Sequence, residues 1–349
     1  MSKLRYGIIG CGDIAEAEIK GMEGSGNSEL KCVVDVNPEY AKRLGEKYKV
    51  DFTSDLKVML ARKDIDAVVV CVPHFLHKAM GLEVIKAGKH LVMEKPLATN
   101  KKDAFELMDA AKKAGVQISV AYVLRYQPGV DKAKELVASG AIGKVINISI
   151  QNMGYKPESY WTQGWQKVVK TDWRTSKEKS GGGVLIMNVS HIIDLMYHIT
   201  GLKAKSVYAE YGTFATKVEV EDMIVANLRY DNDALGLIQT SSTAHGNGEV
   251  THRIYGTEGQ LNIGSIGEVC KIYTTKDIPG IEKGKWFDMP FTPLADMWGG
   301  PRINYFREFS DAILNKKKIP VPAEEGFVSF EICLAAYKSG EEKKPCLIQ

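Results

Sequence analysis

Leu4-Arg5-Tyr6-Gly7-Ile8-Ile9-Gly10-Cys11-Gly12-Asp13-Ile14-Ala15 is the stretch that decides the fold, and Leu30 to Val36, with Asp35 near its end, completes it. Leu4 to Ile9 is a short, mostly apolar run, and it passes straight into the glycine turn. The residues through Ala17 and Ile19 suit a helix, so the order is strand, glycine turn, helix, strand. Gly10 permits the tight turn, Gly12 lets the backbone approach a pyrophosphate, and the small Ala15 lets the helix pack on the strand. Free amides at the helix start face the phosphates. These features make Gly10, Gly12, Asp13, Ile14 and Asp35 candidate cofactor residues.

Asp35 is an acceptor for a ribose diol, and its charge repels a phosphate at the 2′ position, so NAD is expected in preference to NADP. The plainer alternative is a strand-to-helix turn that binds nothing. A bare GxGxxG is weak; one set between two strands and followed by an acidic residue is a much stronger signal.

At 349 residues the chain exceeds the usual single-domain size. Two domains and a large core are expected, with no need of metal or disulfide. The formal charge of +3 comes from interspersed signs, without a basic stripe or aromatic ladder, which gives no case for nucleic acid. The longest apolar run, Ala67 to Val72, is far too short for a membrane span. No signal peptide is read before the first strand, so a cytoplasmic protein is expected. The cysteines are scattered, with no CxxC pair and no metal-ligand spacing. Cys346-Leu347-Ile348-Gln349 matches a loose prenylation pattern but lacks a polybasic neighbour.

Strand and helix alternate through the first third, which predicts a doubly wound parallel sheet over residues 1–124. Ala67 to Val72 reads as a central strand, apolar on both faces. Ligands of such a sheet gather at the carboxyl ends of its strands. Two of those ends carry polar residues: Val72-Pro73-His74, leading to His77, and Glu94-Lys95-Pro96. A histidine at a helix start is more often a packing or capping group, whereas a lysine held by a following proline over the same crevice suits an active site.

After Arg125 the pattern changes. A second domain over residues 125–349 is expected, an α+β unit on a large, predominantly antiparallel sheet. Gly154 to Arg174 is irregular and aromatic, with Tyr155, Tyr160, Trp161, Trp165 and Trp173. Such rings cap a core or stack on sugars, and both readings stand. Ser180-Gly181-Gly182-Gly183 opens a helix to Thr200 in which Leu185, Val189, Ile192 and Met196 form a core stripe. Asn188, His191 and Asp194 follow each other at intervals of three on a neighbouring face. The glycine run allows close approach of a ligand or of another backbone. From Lys205 to about Phe291 successive strands are expected, with an open face that needs covering by helices or by another subunit.

Gly10-Cys11-Gly12, Asp35, Val72-Pro73 with His77, Glu94-Lys95-Pro96, Leu124-Arg125-Tyr126 with Pro128, Ile142-Gly143, the Gly181 helix with His191 and Asp194, Glu221-Asp222 and Gly256-Thr257-Glu258-Gly259 occur in that order. In this the chain resembles the glucose–fructose oxidoreductase/inositol dehydrogenase/rhizopine catabolism family over nearly its whole length. The resemblance implies a Rossmann domain, a sheet domain whose open face mediates dimer or tetramer formation, and pyridine-nucleotide chemistry on a sugar, polyol or related hydroxyl compound. It implies that Lys95 and His191 are the catalytic pair and that Val72, Pro73, His77, Glu94 and Lys95 also line the cofactor. Candidate substrate contacts are Tyr122, Arg125, Tyr155, Trp173, Arg174, Asn188 and Asp194.

One departure matters. Many relatives that oxidise inositol or simple sugars carry an aspartate four residues before the histidine, where this chain has Met187. Asn188 cannot act as a base, while Asp194, one turn away, could orient His191. The departure turns the expectation from an inositol toward a hexose or glycoside. Two other readings stay open: a non-catalytic NAD-binding regulator on the same fold, and an oxidoreductase acting on a dihydrodiol, imine or tetrapyrrole.

Overall fold

The computed structural model describes residues 2–246, 248–264, 271–290 and 299–348. The chain divides into two compact units, Met1–Val123 with Ser159–Gly181 and Trp298–Phe327, and Leu124–Glu158 with Gly182–Met297 and Val328–Gln349. The first cut falls one residue before the boundary read from sequence. Two later stretches that the sequence reading gave to the second domain lie with the first. Side-chain and packing contacts hold them there, and no local pattern in the chain announces such contacts.

The first unit is built on six strands: β1 Leu4–Ile9, β2 Ser28–Val34, β3 Asp51–Thr53, β4 Ala67–Val70, β5 His90–Met93 and β6 Ile118–Val120. Their order is β3-β2-β1-β4-β5-β6, and every pairing is parallel. β4 is fully buried, as its run of valines predicts. The order reverses between β1 and β4, so the ligand crevice of a doubly wound sheet belongs at their carboxyl ends. Asn37, Asp55 and Asn100 cap the helices Pro38–Tyr48, Leu56–Leu60 and Lys101–Ala114 by accepting backbone hydrogen bonds. The Ala15–Ser25 helix, at the crevice, has no side-chain cap.

The Gly299–Leu314 helix packs against the Ala15–Ser25 helix. A methyl group on Gly21 would lie 2.5 Å from Arg302 Cβ, so glycine is what lets the two helices approach. Tyr6 Oη shares a hydrogen bond with Ser310 Oγ at 2.8 Å, and its ring meets Phe306 edge-on at 5.5 Å. This polar and aromatic seam fixes the returning helix to β1.

Among the described residues the second unit carries nine strands: β7 Val145–Met153, β8 Ala204–Gly212, β9 Met223–Tyr230, β10 Leu235–Ser241, β11 Val250–Gly256, β12 Gly259–Asn262, β13 Lys271–Thr274, β14 Trp286–Asp288 and β15 Cys346–Leu347. The order is β14-β13-β12-β11-β7-β10-β9-β8-β15. Among the described residues only β7 and β10 pair in parallel in this sheet; the other pairings are antiparallel. Ile148, Ile150, Val207, Ala209, Ile224, Ala226 and Ile238 are buried, while Tyr208, Glu210, Asn227 and Arg229 alternate with them and are exposed. One face therefore forms the core and the other stays open. β13 to β15 escape a periodicity reading because they are short. The end of the strand-rich stretch expected near Phe291 lies outside the described residues.

Candidate active site

The glycine turn after β1 meets the steric demands of its sequence. Gly10 has φ +93°, and a methyl group on it would lie 2.5 Å from the carbonyl oxygen of Cys71. Only glycine fits there. Gly12 is different, since a methyl group on it would meet only Val169 Cγ2 at 3.9 Å. The surface above Gly12 is thus open next to the uncapped start of the Ala15–Ser25 helix, as a pyrophosphate requires. Asp35 stands at the end of β2, where its Oδ2 accepts from the Cys11 amide at 2.8 Å and its Oδ1 from the Asn37 amide at 2.9 Å. These bonds hold the carboxylate rigidly while lone pairs remain for a ribose diol. The turn, the open helix start and the fixed acid fit NAD.

Asp13 has another employment. Its carboxylate accepts from the amides of Gln166 at 3.1 Å and Val168 at 3.3 Å. The side chain ties the Ser159–Gly181 segment to the glycine turn, and its negative charge is ill suited to a phosphate.

The ends of β4 and β5 are braced by His77. Its Nε2 lies 3.0 Å from the Val72 carbonyl and its Nδ1 2.6 Å from the Pro96 carbonyl. Burial holds the ring below the usual imidazole range. A neutral ring donates to only one of these carbonyls, so His77 serves the structure of the crevice by joining its two walls. Glu94 is buried and accepts from the Lys95 amide through Oε2 at 3.2 Å. Val72, Pro73, Glu94 and Lys95 thus gather at the carboxyl ends where Gly10, Gly12 and Asp35 also stand. Tyr122 is fully buried in the same unit.

One part of the aromatic loop packs on the strand end that carries Val72, Pro73 and His74. The Trp173 ring lies 4.5 Å from that of His74, and the Arg174 guanidinium sits 4.5 Å from the Trp173 ring and 5.4 Å from that of Tyr160. His74 Nδ1 lies 2.7 Å from the Ser180 carbonyl, and burial keeps its ring well below the usual range. In the sequence His74 only marks the strand end that leads to His77, and nothing local announces its contacts with Trp173 and Ser180.

In the second unit Arg125 and Asp194 form a bidentate pair, both at 2.8 Å, and both are buried. Ser329 Oγ adds a longer contact to Asp194 at 3.4 Å. The pair braces the Ser190–Thr200 helix from inside. Tyr155 stands apart from it, half-exposed, with its ring tilted by 33° against that of His245 at 4.2 Å. Beside Tyr155, Lys156 is buried enough for its amine to be pushed below the usual range. Neither His245 nor Lys156 carried a sequence signal.

The glycine-opened helix is not one regular helix. Leu185–Val189 forms a π-turn that runs into the Ser190–Thr200 helix. Asn188 lies in the π-turn and the half-buried His191 just past it, so the threefold spacing read from sequence crosses a change of pitch. Met187, in the relay position, is buried. The glycine run admits neighbours from its own unit. A methyl group on Gly183 would lie 1.9 Å from the Glu221 carbonyl oxygen. The Glu221 carboxylate accepts from the amides of Gly183 at 2.6 Å and Leu185 at 2.9 Å. Burial pushes this carboxyl up to about 7 against the pull of its donors.

Among the described residues no group of histidine, cysteine and carboxylate side chains is arranged to hold a metal ion. No helix among them is long and apolar enough to cross a membrane.

Residues 4–122 match the family model described as an oxidoreductase family with an NAD-binding Rossmann fold, and residues 130–262 match the GFO/IDH/MocA C-terminal domain. The chain is 27% identical to levoglucosan dehydrogenase of Pseudarthrobacter phenanthrenivorans over 66% of this chain and 64% of that protein. It is 25% identical to myo-inositol 2-dehydrogenase of Thermotoga maritima over 98% of this chain and 97% of that protein. The crystal structure of the WlbA dehydrogenase of Bordetella pertussis, in complex with NADH and UDP-GlcNAcA, superposes with a TM-score of 0.88 at 25% identity, covering 100% of this chain and 98% of that one.

Proposed function

The chain belongs to the GFO/IDH/MocA family of NAD-binding oxidoreductases, and from that premise we propose that it oxidises a secondary hydroxyl of a hexose or glycoside to a ketone, or runs the reverse reduction. The observation that carries this reading is the crevice of the first unit, where an open Gly12, an uncapped helix start and the fixed Asp35 carboxylate stand at the carboxyl edge of the sheet whose β5 leads into Lys95. Gly10, Gly12, Ile14 and Asp35 hold the dinucleotide, with Val72, Pro73, Glu94 and Lys95 along the nicotinamide side. Bound there, NAD supplies the hydride acceptor.

The chain's own groups handle the proton. His191, as a neutral imidazole, takes the proton of the substrate hydroxyl. Lys95 donates a hydrogen bond to the same oxygen and stabilises the negative charge that develops on it as the carbon-bound hydrogen leaves with its electron pair. Tyr155, Trp173 and Arg174 offer ring and guanidinium surface for a sugar. Asn188 offers a polar amide. Arg125 and Asp194 support the helix that carries His191.

A carbohydrate substrate is supported by the relatives named above and by the aromatic surfaces. The buried thiols of Cys11, Cys32 and Cys71 suit the reducing cytoplasm. The open sheet face, with Tyr208 and Leu235 exposed, suits association with a second copy.

The test is the absorbance of reduced nicotinamide when the protein and NAD meet a panel of hexoses, inositols, uronates and glycosides. A rise with a hexose or glycoside is expected. Turnover confined to non-carbohydrate substrates rejects the substrate class.

A further inference from the structure

Glu18 lies on the buried stripe that Ala15, Ile19 and Met22 form on their helix, and it is itself fully buried. A carboxyl in that place needs a partner. Arg302, from the Gly299–Leu314 helix, donates from Nε to Glu18 Oε1, and its Nη2 lies 3.5 Å from Glu94 Oε1. Glu94 Oε2 in turn accepts from the Lys95 amide. Two carboxyl groups and one guanidinium therefore share one dry site.

Charge and hydrogen bonding decide how many protons that site keeps. Glu18 Oε2 is buried with no hydrogen-bond partner among the described residues. The Glu94 carboxyl, held at the same guanidinium, raises the Glu18 carboxyl further as a neighbouring negative charge. With both acids ionised the site carries a net negative charge and a stranded acceptor. With one proton retained it is neutral, and the stranded oxygen becomes a donor to Glu94.

We propose that Glu18 is a protonated carboxylic acid at neutral pH and that with Arg302 it forms a neutral brace that positions Glu94 and, through Glu94, the Lys95 backbone. Glu18 and Arg302 are positioning residues, and their functional weight rests on the active-site role of Lys95 proposed above. The Glu18 carboxyl is pushed up to about 8, first by burial and then by Glu94, while Arg302 pulls it back. Cys71 and Tyr305 also face it, and burial raises their thiol and phenol well above their ordinary values. Both stay neutral while Glu18 titrates. Loss of the Glu18 proton puts two negative charges side by side, drives Glu94 from its place and moves the Lys95 amide with it.

The experiment follows the backbone amide resonance of Lys95 in the full chain between about pH 6 and 10, a range that spans the raised carboxyl. The wild-type resonance is expected to titrate with a midpoint near 8. Glu18→Gln, which keeps an N–H toward Glu94 and an oxygen toward Arg302 but cannot ionise, is expected to abolish that titration. A second variant, Glu94→Gln, removes the competing charge and is expected to move the midpoint down. A flat wild-type resonance overturns the proposal without any variant having to fold. An unchanged titration in Glu18→Gln overturns it as well. Neither arm uses a substrate, so this outcome is independent of what the carbohydrate panel returns.

Discussion

Tyr337 donates from its hydroxyl to Glu221 Oε1 at 2.9 Å, and the same carboxyl group takes the amides of Gly183 and Leu185, so the segment that leads into His191 is clamped by one buried acid. Burial raises that acid from an ordinary 4.5 to about 7. A folded-state value above the unfolded one means that the stabilising contribution is complete below about pH 4.5 and is lost as pH rises through about 7. A rise of that size corresponds to roughly 3 kcal/mol. Urea unfolding of wild type and Glu221→Gln across that window should show the wild type losing up to this amount relative to the variant as pH rises. A difference between the two that is constant with pH would sink this account of Glu221.

Gly10 and Gly12 look alike in sequence and should behave oppositely. Gly10→Ala places a methyl group against the Cys71 carbonyl at a φ that side chains avoid, and should destabilise the fold by about 2 kcal/mol or more. Gly12→Ala meets only Val169 Cγ2 at an ordinary 3.9 Å, so its stability should stay within about 0.5 kcal/mol of wild type. Its affinity for NADH should nevertheless fall at least about tenfold, which is about 1.4 kcal/mol. Thermal melts and NADH fluorescence titrations of the two variants give the comparison; tight NADH binding by Gly12→Ala would contradict the placement of the pyrophosphate.

Arg125→Ala should destabilise the protein by about 3–5 kcal/mol, because it strips the buried Asp194 carboxylate of its bidentate partner. Replacing both residues with leucine should cost less than the single change. Denaturant unfolding of the single and double variants decides the point, and a double variant weaker than Arg125→Ala would show that the pair does more than neutralise itself.

Asp35→Asn keeps an acceptor for the Cys11 amide but removes the charge. The ratio of kcat/KM with NAD to that with NADP should fall about 10- to 100-fold, in line with roughly 1.5–3 kcal/mol for a charged hydrogen bond. An unchanged ratio would take cofactor selection away from Asp35.

What was legible in the sequence follows from range. Gly10, Gly12, Asp35 and the valines of β4 declare themselves because turn sterics and strand burial act within a few residues. Asp13 was read with the glycine turn it belongs to, and its bonds to Gln166 and Val168 could not be foreseen because they join residues some 150 apart in the chain. His77 meets Pro96 across 19 residues and Arg125 meets Asp194 across 69, shorter gaps that still lie beyond one helix or strand period and turn polar candidates into braces. The π-turn at Leu185–Val189 broke a spacing argument that assumes one pitch throughout. Glu18 did leave a trace, as an acid on the apolar stripe of its own helix, and that kind of misfit is the local sign of a distant partner.

The most direct test of the central claim is NADH formation from NAD in the presence of a carbohydrate carrying deuterium at the oxidised carbon, run with wild type and His191→Ala. The account predicts deuterated NADH from the wild type and a rate at least about 100-fold lower from the variant, the range expected for loss of a general base, while both bind NADH equally. Deuterium transfer at the same rate in both proteins, or none in either although NADH binds, would contradict it.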